Sequence, residues 1–375
     1  MPNDKTASII PILRSKLDTI FESSATVHPE LTNVPVTATA VLEKQTAKID
    51  RLYEGAGELC TGLRVWYYQA DNTTLPTVSA TAIEGECDLT TGDGVSTASQ
   101  DYDFNVFEKE YIKLNSKDCD NFAKFTDDVA FMLGHKMTLM YQAFNNHVIT
   151  ELEANKSTAT ATNLPDNVTV VGGNYTITGA AFWQGEGAAD TLAIFDQLAR
   201  IKGLPNNYYI ISGKALRVPY DIARDHQVND NERSYYLTFQ RRDIYWDEDN
   251  LDALVGAEVV YLVDPNAIVS YFYSEYPADG EEVKDKNNTL NFSLEFRYFD
   301  MYQDDNGSLR TVRYANDGFL EDARIDVRYQ RACNSSINKY GKPSLDEIWE
   351  LDMVAMFDFV PATGDNTGII RIDKA

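Results

Sequence analysis

Few residues in this chain have the types and spacing needed for chemistry. The 375 residues contain four histidines, His28, His135, His147 and His226. His135 and His147 share one helix-like stretch but lie about three turns apart, too far to bind one metal. No His-Glu-x-x-His pair, phosphate loop, dinucleotide fingerprint or nucleophile elbow occurs. The run "GEGAAD" at 185–190 precedes a helix. It lacks the lysine and spacing of a phosphate loop and reads as a helix-entry turn. "WDEDNLD" at 246–252 offers oxygens that suit calcium, but not the central glycine and terminal glutamate of an EF-hand loop. It reads as a solvated turn, or an acidic patch facing an arginine of a neighbour. "QDDNG" at 303–307 carries a tight-turn signature. Cys60, Cys87, Cys119 and Cys333 form no C-x-x-C pair and have no zinc spacing, so four free thiols are expected. No catalytic, cofactor-binding or metal-ligating residue is nominated, and no enzyme is expected.

Composition narrows the classes further. Asp and Glu total 58 against 33 Lys and Arg, a formal charge of −25. Such a surface repels nucleic acid and anionic lipid at long range. A hydrophobic fraction of 43% is enough for a core. No stretch approaches the ~18 apolar residues of a membrane span. The N-terminal "MPNDKTASIIPILRSKL" lacks the pattern of a secretory signal, so a reducing cytoplasm is the expected compartment.

The elements then follow from periodicity. Ile10, Leu13, Leu17, Ile20 and Phe21 fall on one helical face, with Pro11 suited to a first turn. Residues 24–45, rich in Thr, Val and Pro, read as extended. Together these two segments read as an arm that lies on something else. Residues 63–68 and 106–114 read as two strands of a hairpin-like excursion, joined by the polar span 71–104. From 125 to 155 a long helix is expected, capped by Thr126 and followed by Asp127 and Asp128. Its stripe is Val129, Leu133, Met137, Met140, Phe144, Val148 and Leu152. Residues 168–178 read as a hairpin bending at Gly-Gly-Asn. Asp190 is expected to cap a helix ended by Gly203 and Pro205. Strands are expected at 208–212 and 256–263, with a short helix near 213–224. The last hundred residues are β-rich, with strict alternation at 291–298 and again at 324–329.

This order of parts resembles the major capsid protein of tailed bacteriophages, with the Hong Kong 97-like fold. The resemblance covers nearly the whole chain and is one of architecture. Local sequence joins it at "DTLAIFDQLARIKGLPNNYYIISGKALRVPYDIA" (190–223) and "VGAEVVYLVDPNAIVSYFYSEYP" (255–277). It implies an α+β fold divided as N-terminal arm 1–58, extended β-loop 59–115, peripheral domain with spine helix 116–184, axial domain 185–262, and peripheral return 263–375. It implies a structural protein that assembles with itself into hexamers and pentamers of an icosahedral shell. Portal, scaffolding and decoration proteins are further partners of such shells. The protein would be made in the host cytoplasm and reside in the virion capsid, with no membrane and no cofactor. Packaged DNA would make only weak non-specific contact, kept mobile by an acidic inner face. Some members of this family form a Lys–Asn isopeptide cross-link. Here 71–105 contains no lysine, and Lys109 and Lys113 lie only on the return strand, so none is expected. Two other classes fit the lack of catalytic motifs. One is another virion component such as a tail tube or decoration protein. The other is a calcium- or carbohydrate-binding β module.

Overall fold

The computed structural model describes residues 10–17, 19, 36–46, 48–54, 59–70, 95–115, 122–179, 183, 188–219, 243–248, 250–276, 281–283, 289–303, 309–337, 343–361 and 366–375. His28, His226, Cys87, Cys119, residues 185–187 and the Asp305-Asn306-Gly307 turn lie outside them. The architecture is α+β. Helix α1 covers residues 10–17. It is followed by α2 (Val36–Lys44), β1 (Lys48–Glu54), β2 (Leu59–Ala70), β3 (Val95–Asp103), β4 (Val106–Asn115) and α3 (Phe122–Ala154). Then come β5 (Val168–Val171), β6 (Asn174–Ile177), α4 (Ala188–Ile201), β7 (Tyr209–Ser212), β8 (Ile244–Trp246) and α5 (Leu251–Val255). The remainder is β9 (Val259–Val263), β10 (Ile268–Tyr273), β11 (Glu281–Val283), β12 (Thr289–Gln303), β13 (Leu309–Ile337), β14 (Pro343–Phe359) and β15 (Ile369–Lys374).

Helix α3 organises the rest. Its 33 residues make a rod of about 50 Å. The expected stripe is buried, widened by Ala130, Tyr141 and Ile149. It starts at Phe122, so Thr126 lies inside the helix and cannot be its cap. The same displacement occurs at α4, which begins two residues before Asp190. The end of α4 is as the glycine pattern predicts. Gly203 takes a φ of +70°. Its N–H donates to Arg200 and that of Leu204 to Ala199, the paired bonds of a Schellman stop.

Two six-stranded sheets pack against α3. The larger is antiparallel, in the order β10-β14-β13-β12-β11, with β4 also on β14. Its inner face carries Phe272, Phe292, Val327, Trp349 and Phe357 into the main core. Its outer face carries charge pairs: Arg324 with Glu295 at 3.1 Å, Arg328 with Glu350 at 3.8 Å, and Lys109 with Glu350 and Asp352. This is the one-sided burial common to antiparallel sheets. The second sheet is mixed, in the order β5-β6-β15-β9-β7-β8. Tyr209, Ile211, Val259, Tyr261, Val263 and Ile369 face α3. Ile210, Val260, Leu262, Ile370 and Ile372 face α4 through Phe195 and Leu198. Burial on both faces explains why β9 reads as an unbroken apolar run. Its strands come from 168–177, from 209–212, 244–246 and 259–263, and from β15 near the C-terminus.

Three sequence readings need correction. First, β2 does not pair with 106–114. It pairs with β3, Gly62 opposite Asp103 through Ala70 opposite Val95, while β4 runs along β14. β1, not anticipated, completes a three-stranded sheet. That sheet sits on the outer face of the large one through Leu63, Val65 and Tyr102 against Val269 and Met356. Second, residues 36–44 are helical, although Val and Thr favour extended backbone. Tertiary burial of Ala38, Ala40 and Val41 overrides that preference. Third, the arm lies on its own chain. Ile10, Leu13 and Leu17 enter the main core, Arg14 donates to the Ser293 carbonyl at 3.1 Å, and Lys16 pairs with Asp127 at 2.5 Å.

The length of the C-terminal region also acquires a shape. β14 pairs with β13 only from Asp326 onward. From Arg297 to Gln303, β12 pairs with β13 residues that no third strand joins among the described residues. A second long hairpin therefore extends past the sheet.

Phe144 tests the face assignment. It is fully buried, 4.9 Å ring to ring from Phe272. Phe144→Ala should cost about 3–5 kcal/mol in urea unfolding. Leu139→Ala, on the opposite face and 40% exposed, should cost under about 0.5 kcal/mol. Equal costs would mean the buried face is assigned wrongly.

Candidate functional site

The acidic turn 246–252 is the one sequence candidate the structure builds into a site. It is not a solvated turn. Asp247 is 2% exposed and takes five hydrogen bonds from its own chain. Its Oδ2 accepts from Thr37 N at 3.2 Å, Thr37 Oγ1 at 2.7 Å and Asn145 Nδ2 at 3.1 Å. Its Oδ1 accepts from Asn250 N at 3.3 Å and Asn250 Nδ2 at 2.9 Å. Asn145 in turn accepts from Ala38 N at 2.7 Å. Thr37 N and Ala38 N are first-turn donors of α2 that have no partner within the helix. Asp247 and Asn145 thus cap α2 from outside, and the carboxylate sits at the positive end of the helix dipole. Removing a carboxylate from water is costly unless its lone pairs are satisfied. Here they are filled by neutral donors.

The rest of the turn is equally committed. Asp252 accepts from Lys214 N at 2.8 Å and Val259 N at 3.2 Å, tying α5 to the ends of two strands. Burial pushes its carboxyl above the usual range. Glu248 pairs with Arg217 of the same chain at 3.3 Å, in place of the arginine of a neighbour. Gly213 permits this packing, since a Cβ there would lie 2.0 Å from Asp252 Oδ1. Among the described residues no group of His, Cys, Asp and Glu has the arrangement of a metal site.

A second polar junction lies at the end of α3. Glu153 accepts from Tyr261 Oη at 2.5 Å and Arg371 Nη1 at 2.5 Å, and also pairs with Lys156. Arg371 also reaches Asp373 at 2.6 Å, and Asp373 accepts from Asn174 Nδ2 at 3.0 Å. The rod is thereby bonded to β9, β15 and β6. Burial pushes the Glu153 carboxyl up. The hydrogen bonds from Lys156 and Tyr261 and the charge of Arg371 outweigh it and hold it below the usual range.

The remaining candidates are dispersed. His135 and His147 are half-buried on α3, His147 with its ring 6.2 Å from Phe357. Cys60 lies on β2 and Cys333 on β13, in different sheets. Lys109 projects from β4, and its hydrogen bond to Glu350 raises its pKa. A held ammonium has no lone pair for nucleophilic attack. The site residues that sequence reading missed are Thr37 and Asn145. Asn145 did leave a signal: it is a polar residue between Tyr141 and Val148, on the apolar stripe.

Two measurements follow. Gly213→Ala should displace Asp252 and cost about 1–3 kcal/mol through unpaired Lys214 and Val259 amides. Asp252→Ala should cost a similar amount, and the double variant far less than the sum. Additive costs would separate the two residues. For Glu153, the depressed folded pKa means its stabilisation is full above the ordinary value of 4.5 and is lost as pH falls through the folded value. At pH 7, Glu153→Gln should melt a few degrees lower, a difference on the order of 1 kcal/mol for this half-exposed group. Once the pH has fallen below the folded value, the two melting temperatures should converge. A gap that widened in acid would reverse the assignment.

No family model and no curated protein matches the chain. Among solved structures, a chain titled Mycobacterium phage Che8 is similar over 87% of this chain and 92% of its own, at 12% identity and a TM-score of 0.41. A chain of the bacteriophage PhiM1 mature capsid is similar over 87% and 91%, at 10% identity and a TM-score of 0.36. A chain of the capsid of Myoviridae phage XM1 is similar over 87% and 90%, at 13% identity and a TM-score of 0.38.

Proposed function

We propose that this chain is the major capsid protein of a tailed bacteriophage, a structural subunit that assembles with itself into an icosahedral shell. The observation that carries this reading is the rod α3 packed across two sheets, one of which keeps a charged outer face. Such an arrangement makes a stiff plate. The polar groups at its junctions hold elements together and offer no nucleophile or base, which supports a structural role over a catalytic one. The β2–β3 hairpin and the outer half of the β12–β13 hairpin leave this plate as two- and three-stranded strips. Such strips are marginal alone in water and gain stability when a neighbouring subunit covers them. In this reading the subunits form hexamers and pentamers within the virion, and the arm residues 10–17 and 36–44 stabilise the subunit they belong to. Portal, scaffolding and decoration proteins would join the shell. No helix among the described residues is long and apolar enough to cross a membrane.

Negative-stain electron microscopy across a concentration series tests the reading. Capsomers, curved sheets or closed shells support it; tubes or stacked rings would replace it with a tail component. The hairpin gives a sharper test. Trp66 and Ser99 are cross-strand partners, so an Asn-Gly turn can join them directly. That truncation keeps Leu63, Val65 and Tyr102. It should melt within a few degrees of the parent and fail to assemble. Normal shells from it would remove the hairpin from any intersubunit role.

A further inference from the structure

Helix α2 sits where the two large sheets meet and bonds to both. On the mixed-sheet side, Asp247 follows β8 and receives Thr37, while Asp243 precedes β8 and pairs with Lys44 at 2.8 Å. On the large-sheet side, Gln45 Oε1 accepts from Ser270 N of β10 at 2.8 Å. Between them, Thr46 donates to the Pro265 carbonyl at 3.2 Å and to Asn266 Oδ1 at 2.6 Å. Residues 264–267 are the link from β9 in one sheet to β10 in the other. Behind α2, Asn145 of α3 completes the clasp, and Thr39 and Tyr141 share a hydroxyl contact at 2.8 Å. Five successive residues, Thr37 to Val41, are buried.

The rod α3 also touches both sheets, through its apolar stripe and, away from the 264–267 link, through Glu153 to Tyr261 and Arg371 and Lys136 to Glu110. Apolar contact is non-directional and tolerates small rotations. Hydrogen bonds have narrow preferred geometries. Beside the 264–267 link, the directional contacts come from α2 and the two residues after it.

We propose that α2 is a wedge that fixes the angle between the two sheets, held in place by the Asp247–Asn145 clasp. Building on the capsid reading, this angle sets the curvature with which subunits join. Four of its nine residues, Val36, Thr37, Thr39 and Val41, are β-branched, and a helix this short is marginal alone in water. Its helical state therefore leans on burial and on the clasp.

The test uses the full chain with Thr37→Val, which keeps side-chain volume and removes one clasp bond, and Asn145→Leu, which removes two. Hydrogen exchange should rise at least ten-fold across 36–46 in Asn145→Leu, and less in Thr37→Val. Exchange in 325–329 and 349–357 should stay at parental values. Particles of the variants should spread over several diameters where the parent gives one. Unchanged exchange at 36–46 would show that the clasp does not hold the helix. A uniform rise would make α2 an ordinary part of the core. Loosened α2 with parental diameters would show that it does not set the angle. If the parent itself forms no particles, the capsid reading fails separately. The wedge is then judged by small-angle scattering of the subunit: a changed profile in the loosened variants sustains it, and an identical one overturns it.

Discussion

One constraint governs this molecule: a single helix must bury its apolar face against two sheets at once. The stripe from Val129 to Leu152 repeats at three- and four-residue steps, so it remains on one side over six turns. Along its length that side meets Phe272 and Phe357 of the large sheet and Tyr209 and Tyr261 of the mixed one. Neither sheet could be removed without exposing part of the rod. The chain solves this by threading. It builds the rod early, lays strands on it, crosses between sheets at 264–267, and returns at 360–368 so that β15 closes the mixed sheet between β6 and β9.

Polar groups at the rod are placed where apolar packing leaves orientation undetermined. Asn145 and Asp247 fix the entry of α2, and Glu153 with Arg371 fixes the exit of α3. Asp247 accepts only from neutral donors, while Glu153 is set among cations, and the difference follows exposure. Near-complete burial favours neutral donors for Asp247, which avoid desolvating a second charge. A half-exposed carboxylate can take lysine and arginine at little cost. Both contribute direction more than net stability.

The sequence showed the elements with strong periodicity and hid those decided by tertiary contact. The rod, β9, the Gly172–Gly173 hairpin and the stop at Gly203 were legible, because each follows from local pattern or turn chemistry. α2 was not, because the β-branched Val36, Thr37, Thr39 and Val41 and the nearby prolines mask a short helix whose first-turn amides are received by Asp247 and Asn145 from distant parts of the chain. The partner of β2 was not legible either. The alternation of 106–114 states that it is a strand, but not that its partner lies some 240 residues later in β14. Thr126 and Asp190 look like caps in sequence, but α3 starts at Phe122 and α4 at Ala188, so Thr126 lies beyond the first turn and Asp190 within it. The acidic turn was read by composition as solvated. Its burial depends on Thr37 and Asn145, which lie more than a hundred residues away.

In the proposed shell, the docked arm leaves other surfaces to join the copies. With α1 and α2 spent inside the subunit, they cannot also be the arm that grips a neighbour. What the subunit leaves uncovered is different. The outer face of β4 shows Phe107 at 67% and Tyr111 at 56% exposure, and the two hairpins run beyond their sheets. Lys109 lies between those aromatics, but its charge is taken by Glu350 and Asp352. On a chain of charge −25, contact between copies must overcome long-range repulsion. Salt screens that repulsion while leaving apolar contact intact. A shell joined through strands and aromatic faces should therefore assemble more readily as salt rises. One joined through ion pairs should assemble less readily. Light scattering against ionic strength separates the two; for the proposed shell, with Lys109 paired to Glu350 and Asp352 of its own chain, the first outcome is the expected one.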